Sequence, residues 1–297
     1  AGGALLPQTP SGHLQPKETQ TNAMKLLHFT DIHLTTPGQT IGGRDPIANF
    51  QRGLEHAMAL HGDADALFIT GDLSEWGDLE DYRRLKTIVA TLPMPVHQLI
   101  GNHDDRPTLL KAYPELQGDG GFVHHVVPLP LGHAITLDTW APQTHAGHFC
   151  TARAAWLSDQ LTALPGPIWI FMHHNPVPTQ VAPMDQIMLL DADRFAQTLA
   201  PHRAKIRHIF HGHCHLTLSG SLHGIPFSAP RGTNHAGWPD FAAERLLSAA
   251  DLAEAYSVIF ADAHTTLVHQ VEFGYDGEIK SEGSPDYAQW DRLTMIR

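Results

Sequence analysis

Apolar runs of strand length recur along the chain at Leu26–Thr30, Ala66–Thr70, Val96–Ile100, Ala134–Leu137, Ile168–Met172 and Ile206–Phe210. Between several of them the apolar positions fall at helical spacing, over Ile47–Leu60, Leu79–Leu92, Ala152–Leu164 and Ala192–Leu199. This alternation predicts βαβ units and a sheet covered by helices. After Gly212 the pattern changes. His215–Gly220, Leu222–Ala229, Ala255–Ala261 and Thr265–Phe273 read as consecutive strands, with Gly224 and Asp262-Ala263 as turns. These strands are expected to build a second, more antiparallel sheet packed on the first.

Residues 1–23, rich in Gly, Pro, Gln and Thr, have neither the basic start nor the apolar stretch of a secretory signal. They read as an added leader, with the native start at Met24. Residues 24–235 are then the catalytic domain, and 236–297 a C-terminal segment that completes the second sheet and offers a surface for a homo-oligomer.

The chain has 297 residues, 42% of them hydrophobic, enough for one large α/β domain. No apolar run approaches the roughly 18 residues that a membrane helix needs, so no membrane partner is expected. A formal charge of −12 argues against a nucleic-acid polymer as partner, because phosphate backbones are bound chiefly by clustered Lys and Arg. The two cysteines, Cys150 and Cys214, form no disulfide framework, and a cytoplasmic location is the default.

The 23 histidines change the picture, since many of them gather in short motifs at the carboxyl ends of the apolar runs. Asp31 and His33 follow the first run, Gly71-Asp72 the second, Gly101-Asn102-His103-Asp104 the third and His173-His174 the fifth, while Gly212-His213-Cys214-His215 closes the sixth. Ligands bind at that edge of an α/β sheet. Taken singly, most of these fragments have simpler explanations: Asp31 as a helix N-cap, Gly-Asp as a strand-ending turn, His174 as a buried structural residue. Together they supply oxygen and imidazole ligands for two adjacent metal ions. Asp31 and His33, two apart in an extended segment, would face one ion, and His213 and His215 would share a face in the same way. Asp72, freed by its glycine to turn sharply, could approach both ions. The Asn102 amide oxygen could ligate a hard ion while His103 points to substrate as a proton or hydrogen-bond donor. His173 is expected to be the ligand of its pair. Two divalent ions, the Asp31 and Asp72 carboxylates and a bound hydroxide would leave a site of about +1, suited to a phosphodiester monoanion.

At these residues the chain resembles the calcineurin-like metallophosphoesterase superfamily, whose motif blocks match in order from about Met24 to His235. Gly101-Asn102-His103-Asp104-Asp105-Arg106, Phe171-Met172-His173-His174-Asn175-Pro176, Met184-Asp185 and Arg231-Gly232-Thr233-Asn234-His235 are similar to bacterial class III cyclic nucleotide phosphodiesterases and their glycerophosphodiesterase relatives. The resemblance implies a four-layer αββα sandwich with two mixed β-sheets and a dinuclear centre at the strand ends. It implies Asp31, His33, Asp72 and His215 around one ion, and Asp72, Asn102, His173 and His213 around the other. His103 would contact the substrate phosphate and the leaving oxygen. Asn175 stands where many relatives carry proline, and the loop Gly38–Pro46 and the segment Trp238–Ala250 match no family pattern.

The expected activity is hydrolysis of a small phosphodiester, a cyclic nucleotide or a glycerophosphodiester, by metal-bound hydroxide. His103 and Asp72 carry the catalysis, and Asn102, His103, His235 and Arg44 contact substrate. The cofactors are two divalent transition-metal ions, Mn or Fe, with Zn or Co also compatible with the ligand set. A phosphomonoesterase or phosphonate-ester hydrolase on the same centre is the alternative. A catalytically silent binding scaffold is disfavoured by the intact ligand set.

Overall fold

The computed structural model describes residues 23–279. All but Ala23 of the expected leader lies outside them, as do residues 280–297 of the C-terminal segment.

Strand β1 (Met24–Phe29) sets the architecture because both of its faces are buried: Leu26 on one side, Leu27 and Phe29 on the other. A strand of this kind must be covered twice. Helices α1 (Pro46–His61), α2 (Leu79–Val89) and α3 (Arg106–Ala112) lie over one face, where Leu27 and Phe29 share a core with Phe50, Tyr82 and Leu109. The other face meets a second sheet. There Leu26 packs with Phe68, Trp169, Phe171 and Phe210, and the Phe68 and Phe171 rings stack with centroids 3.8 Å apart.

The first sheet carries β2 (Ala66–Ile69) and β3 (Val96–Gln98) parallel to β1 on one side, and β12 (Ala255–Ala261) with β13 (Thr266–Glu272) antiparallel on the other. The second runs β4 (His125–Leu129), β5 (Gly132–Thr136), β6 (Ile168–Phe171), β7 (Ile206–Phe210), β9 (Ile225–Ala229), β8 (Leu218–Leu222), with β5, β6, β7 and β9 parallel and both edges antiparallel. Its outer face is covered by α4 (Thr151–Ala163) and α6 (Ala192–Leu199), through Leu157, Leu161, Phe195 and Leu199. A one-turn helix α5 (Ala182–Asp185) and a two-stranded ribbon of β10 (Ala236–Trp238) and β11 (Ser248–Ala250) flank the strand ends. The order helices, sheet, sheet, helices is the expected αββα sandwich of two mixed sheets.

The placement of the late strands corrects the sequence expectation. They do not form a sheet of their own. β8 and β9 extend the second sheet beside β7, whereas β12 pairs with β1, from Met24 opposite Ala261 to His28 opposite Ser257. The C-terminal segment therefore adds to the first sheet, not the second. The reason lies in β12 itself: six of its seven residues are buried, so it needs cover on both faces, while the alternating β13 can take the edge. Short helix α3 and strand β4, which carry little periodicity, were not anticipated.

Candidate metal centre

The loops leaving β1, β2, β3, β6 and β7 all open on the same edge of the sandwich, and they are turned more sharply than extended chain allows. Asp31, His33, Asp72, His213 and His215 all have positive φ, from 47° to 69°. Non-glycine residues in the left-handed region cost about 1–3 kcal/mol each and persist only where surrounding contacts enforce them. Strand parity is thus not what brings Asp31 beside His33 or His213 beside His215. Tight left-handed turns do so. Two glycines make room between loops: Gly71 has φ +93°, and a Cβ there would lie 2.6 Å from the Gly101 nitrogen and 2.7 Å from His173 Nδ1, while a Cβ on Gly101 would collide with the Asp72 backbone nitrogen and carboxylate.

Two clusters result, sharing Asp72. In the first, His33 Nδ1 lies 2.6 Å from the Glu75 carboxylate and His215 Nδ1 lies 3.0 Å from the His235 carbonyl. With Nδ1–H donated outward, each ring in its neutral form would turn an unprotonated Nε2 inward. The two Nε2 atoms face each other at 3.2 Å, with Asp72 Oδ2 3.6 Å from His33 and Asp31 Oδ1 3.5 Å from His215. In the second cluster, His173 Nδ1–H donates to the Thr70 carbonyl at 2.7 Å. Its Nε2 therefore faces Asn102 Oδ1 at 2.9 Å and Asp72 Oδ1 at 3.4 Å, and His213 Nδ1 lies 2.6 Å from the same amide oxygen.

Imidazole, carboxylate and amide atoms gathered in this way form a donor set that fits a divalent cation, with Asp31, His33, Asp72 and His215 close enough together to share one ion. The field agrees. Burial opposes charge throughout, yet Asp72 and its hydrogen bond raise His173 to about 9, and Glu75 and Asp72 raise His33. Burial alone would lift the Asp72 carboxyl, but His173, His103 and His33 hold it well below the usual carboxylate range. Burial keeps His213 and His215 low, in the neutral form that ligates metals.

The remaining expected residues fall as follows. His103 lies at the pocket, its Nδ1 3.1 Å from the Glu75 carbonyl and 3.6 Å from the Glu75 carboxylate, while its backbone N–H donates to Asp72 Oδ1 at 2.9 Å. His235 lines the same pocket with its ring 4.1 Å from that of His215. His174 lies beside the second cluster, its ring 4.6 Å from that of His213, but both of its nitrogens are engaged, with Thr139 Oγ1 at 2.7 Å and the His145 carbonyl at 3.2 Å. Cys214 is buried in a small apolar cluster with Val181, Met184 and Leu216, and burial pushes its thiol well up, so it is no thiolate ligand. Arg44 is corrected. Its guanidinium pairs with Glu254 and Asp251 and lies in a separate cleft, because the nearly buried Glu254 carboxylate captures it.

Sequence reasoning missed three contributors. Glu75 orients His33 and reaches His103, and the signal was an acidic residue three positions after Asp72, the outer partner that a ligating histidine usually has. His145, whose Nδ1 accepts from Asn102 Nδ2 at 2.9 Å, lies in a loop with no motif. Asp104, last of the Gly-Asn-His-Asp run, is buried and accepts from the backbone of Leu73, Ser74 and Gly101 and from the Tyr82 hydroxyl, all at 2.8–3.2 Å. It thereby staples the Asp72 loop to the Asn102 loop. Burial and the nearby Asp72 push its carboxyl up to about 6 against these donors.

Two mixed sheets face to face, with a histidine–aspartate cluster pair at their common edge, define the metallophosphoesterase class of fold. A dimetal phosphatase from Danio rerio shares the architecture, with a TM-score of 0.61 over 84% of this chain and 96% of that one at 14% identity. The chain belongs to the calcineurin-like phosphoesterase family, whose sequence profile matches residues 24–216. It is 34% identical to a probable cyclic nucleotide phosphodiesterase of Rhodopseudomonas palustris, over 87% of this chain and 96% of that protein. A glycerophosphodiester phosphodiesterase of Enterobacter lignolyticus is 26% identical over 69% and 80% of the two chains.

Proposed function

We propose that this protein is a phosphodiesterase with a dinuclear metal centre, acting on a small diester of the cyclic nucleotide or glycerophosphodiester type. The observation that carries the reading is the shared aspartate: Asp72 turns one carboxylate oxygen toward each of two converging sets of acceptor atoms. Asp31, His33, Asp72 and His215 would hold one ion, and Asp72, Asn102, His173 and His213 the other. Mixed imidazole, carboxylate and amide donors suit Mn or Fe, with Zn or Co compatible. Such ions, when bound, supply Lewis acidity toward the phosphoryl oxygens and lower the pKa of water to about 7.

The chain's own groups do the rest. Asp31 accepts the His213 backbone N–H on both carboxylate oxygens at 3.1 Å, which locks the two histidine loops together. Glu75 fixes the His33 tautomer. His103, held by the Glu75 carbonyl, leaves its Nε2 for the substrate, and a proton carried there is placed to pass to the leaving oxygen. The names of the two relatives support a diester substrate. Among the described residues no helix is long and apolar enough to cross a membrane. The free thiols of Cys150 and Cys214 fit a reducing setting such as the cytoplasm.

The test is metal analysis and turnover on the same sample. Close to two transition-metal ions per chain are expected, with activity on bis(4-nitrophenyl) phosphate exceeding that on 4-nitrophenyl phosphate, lost on chelation and restored by Mn(II). Full activity after thorough metal stripping would overturn the reading, and a preference for the monoester would replace it with the phosphomonoesterase alternative.

A further inference from the structure

The cavity over the candidate metal centre, of about 430 Å³, has two unlike sides. One is the polar floor already described. The other is an apolar wall made by Val181, Met184, Leu216, Trp238 and Leu247. Val181, Met184 and Leu216 are buried and packed together with Cys214, so this part of the wall is firm. Trp238 and Leu247, from the ends of the β10–β11 ribbon, are 52% and 50% exposed although they line the cavity. Large apolar side chains left half in water at the mouth of a pocket are surfaces for a ligand to cover.

The ribbon is tied directly to the centre. The Gly237 N–H donates to the His215 carbonyl at 2.8 Å, and His215 Nδ1–H donates to the His235 carbonyl at 3.0 Å. Trp238 is thus held one residue from a backbone bond to a histidine of the first cluster. Its place beside the centre is set by the same contacts that orient that ring.

The chemistry of the wall narrows what it takes. Among the described residues no Lys or Arg lines the cavity, and Glu75, the one carboxylate there besides Asp72, is held by His33. A substituent with a second phosphate finds no cationic partner among these lining residues. A neutral, planar group finds the Trp238 indole and aliphatic side chains lining the same cavity as His33, Asp72 and His215.

We propose that Trp238, with Leu247 beside it, stacks on the aromatic substituent of the diester, so that this protein selects nucleoside esters over glycerol or simple alkyl esters. This rests on the phosphodiesterase reading and deepens it. Trp238 is a specificity-determining residue and takes no part in bond breaking. Its loss should raise KM and leave the chemistry at the phosphoryl group unchanged.

The test compares three diesters with the same leaving group on the Mn(II)-loaded protein: thymidine 5′-(4-nitrophenyl phosphate), butyl 4-nitrophenyl phosphate and methyl 4-nitrophenyl phosphate. The wild type should favour the thymidine ester. Trp238→Ala should raise its KM roughly five- to 100-fold, the range of one base–aromatic stack, with the methyl ester unchanged within about twofold and Trp238→Phe restoring most of the preference. In calorimetry, adenosine 5′-monophosphate should bind more tightly than ribose 5-phosphate to the wild type and equally to Trp238→Ala. An equal loss on all three esters would make Trp238 structural. No change on any of them, or a butyl ester as good as the thymidine ester, would remove the stacking role. If no diester is turned over, the phosphodiesterase reading fails by itself and the calorimetric comparison alone decides the stack.

Discussion

Removing the Asp104 carboxylate should disable the centre from behind, although Asp104 itself lies in neither cluster. It is 4% exposed and accepts from four donors: the backbone N–H groups of Leu73, Ser74 and Gly101 and the Tyr82 hydroxyl. Each buried donor left without an acceptor costs about 1–3 kcal/mol, and water entering the vacated space recovers part of that. Asp104→Ala should therefore destabilise the protein by about 3–5 kcal/mol, near the upper end for single substitutions. Asp104→Asn keeps one acceptor oxygen but sets an NH2 against a backbone N–H, and should cost about half as much. Tyr82→Phe removes one bond of the four and should cost about 1 kcal/mol with metal binding intact. Urea unfolding in the presence of a chelator measures these differences without the contribution of bound ions. Because Asp104 ties the Asp72 loop to the Asn102 loop, titration of the folded Asp104→Asn variant with Mn(II) should show both sites weakened together. An Asp104→Ala variant within about 1 kcal/mol of wild type, binding both ions with unchanged affinity, would refute the role assigned to this carboxylate.

Asp72→Ala should lower occupancy of both metal sites in parallel, whereas Asn102→Ala should weaken mainly one; metal analysis showing the same single ion lost from both variants would make Asp72 an ordinary terminal ligand. His103→Ala should leave metal content near wild type and reduce turnover by roughly 10²–10⁴, more for an alkoxide leaving group than for nitrophenolate, which needs little protonation. Equal losses on both leaving groups would assign His103 to phosphate positioning. Arg44→Ala should leave KM for large and small diesters unchanged and lower stability by about 1–2 kcal/mol, since it strips one partner from the nearly buried Glu254 while Arg52 remains 3.1 Å away. A selective rise in KM for the larger diester would return Arg44 to the substrate pocket.

The parallel strands and the helices between them were legible because each buries a continuous apolar run or a single helical face, and local pattern reports burial of that kind directly. The site motifs were legible because they punctuate those runs at the strand ends: Asp31, Asp72, Asn102, His173 and His215 each close a strand or follow it within a few residues. Which sheet receives β12 was not legible. Its sequence demands cover on both faces but does not say whose edge supplies it, and pairing between residues 24–28 and 257–261 is decided by packing across more than two hundred residues of chain. The same holds for Arg44, whose charge suggested a substrate contact until Glu254 was brought beside it, and for Glu75, His145 and the Trp238 wall, which gain their meaning only from neighbours distant in sequence. Residue types and spacing determined which groups could bind metal, because ligand chemistry belongs to the side chain. Only the tertiary structure decided which lone pairs face one another, because the left-handed turns at Asp31, His33, Asp72, His213 and His215 are imposed by contacts between loops and not by local preference.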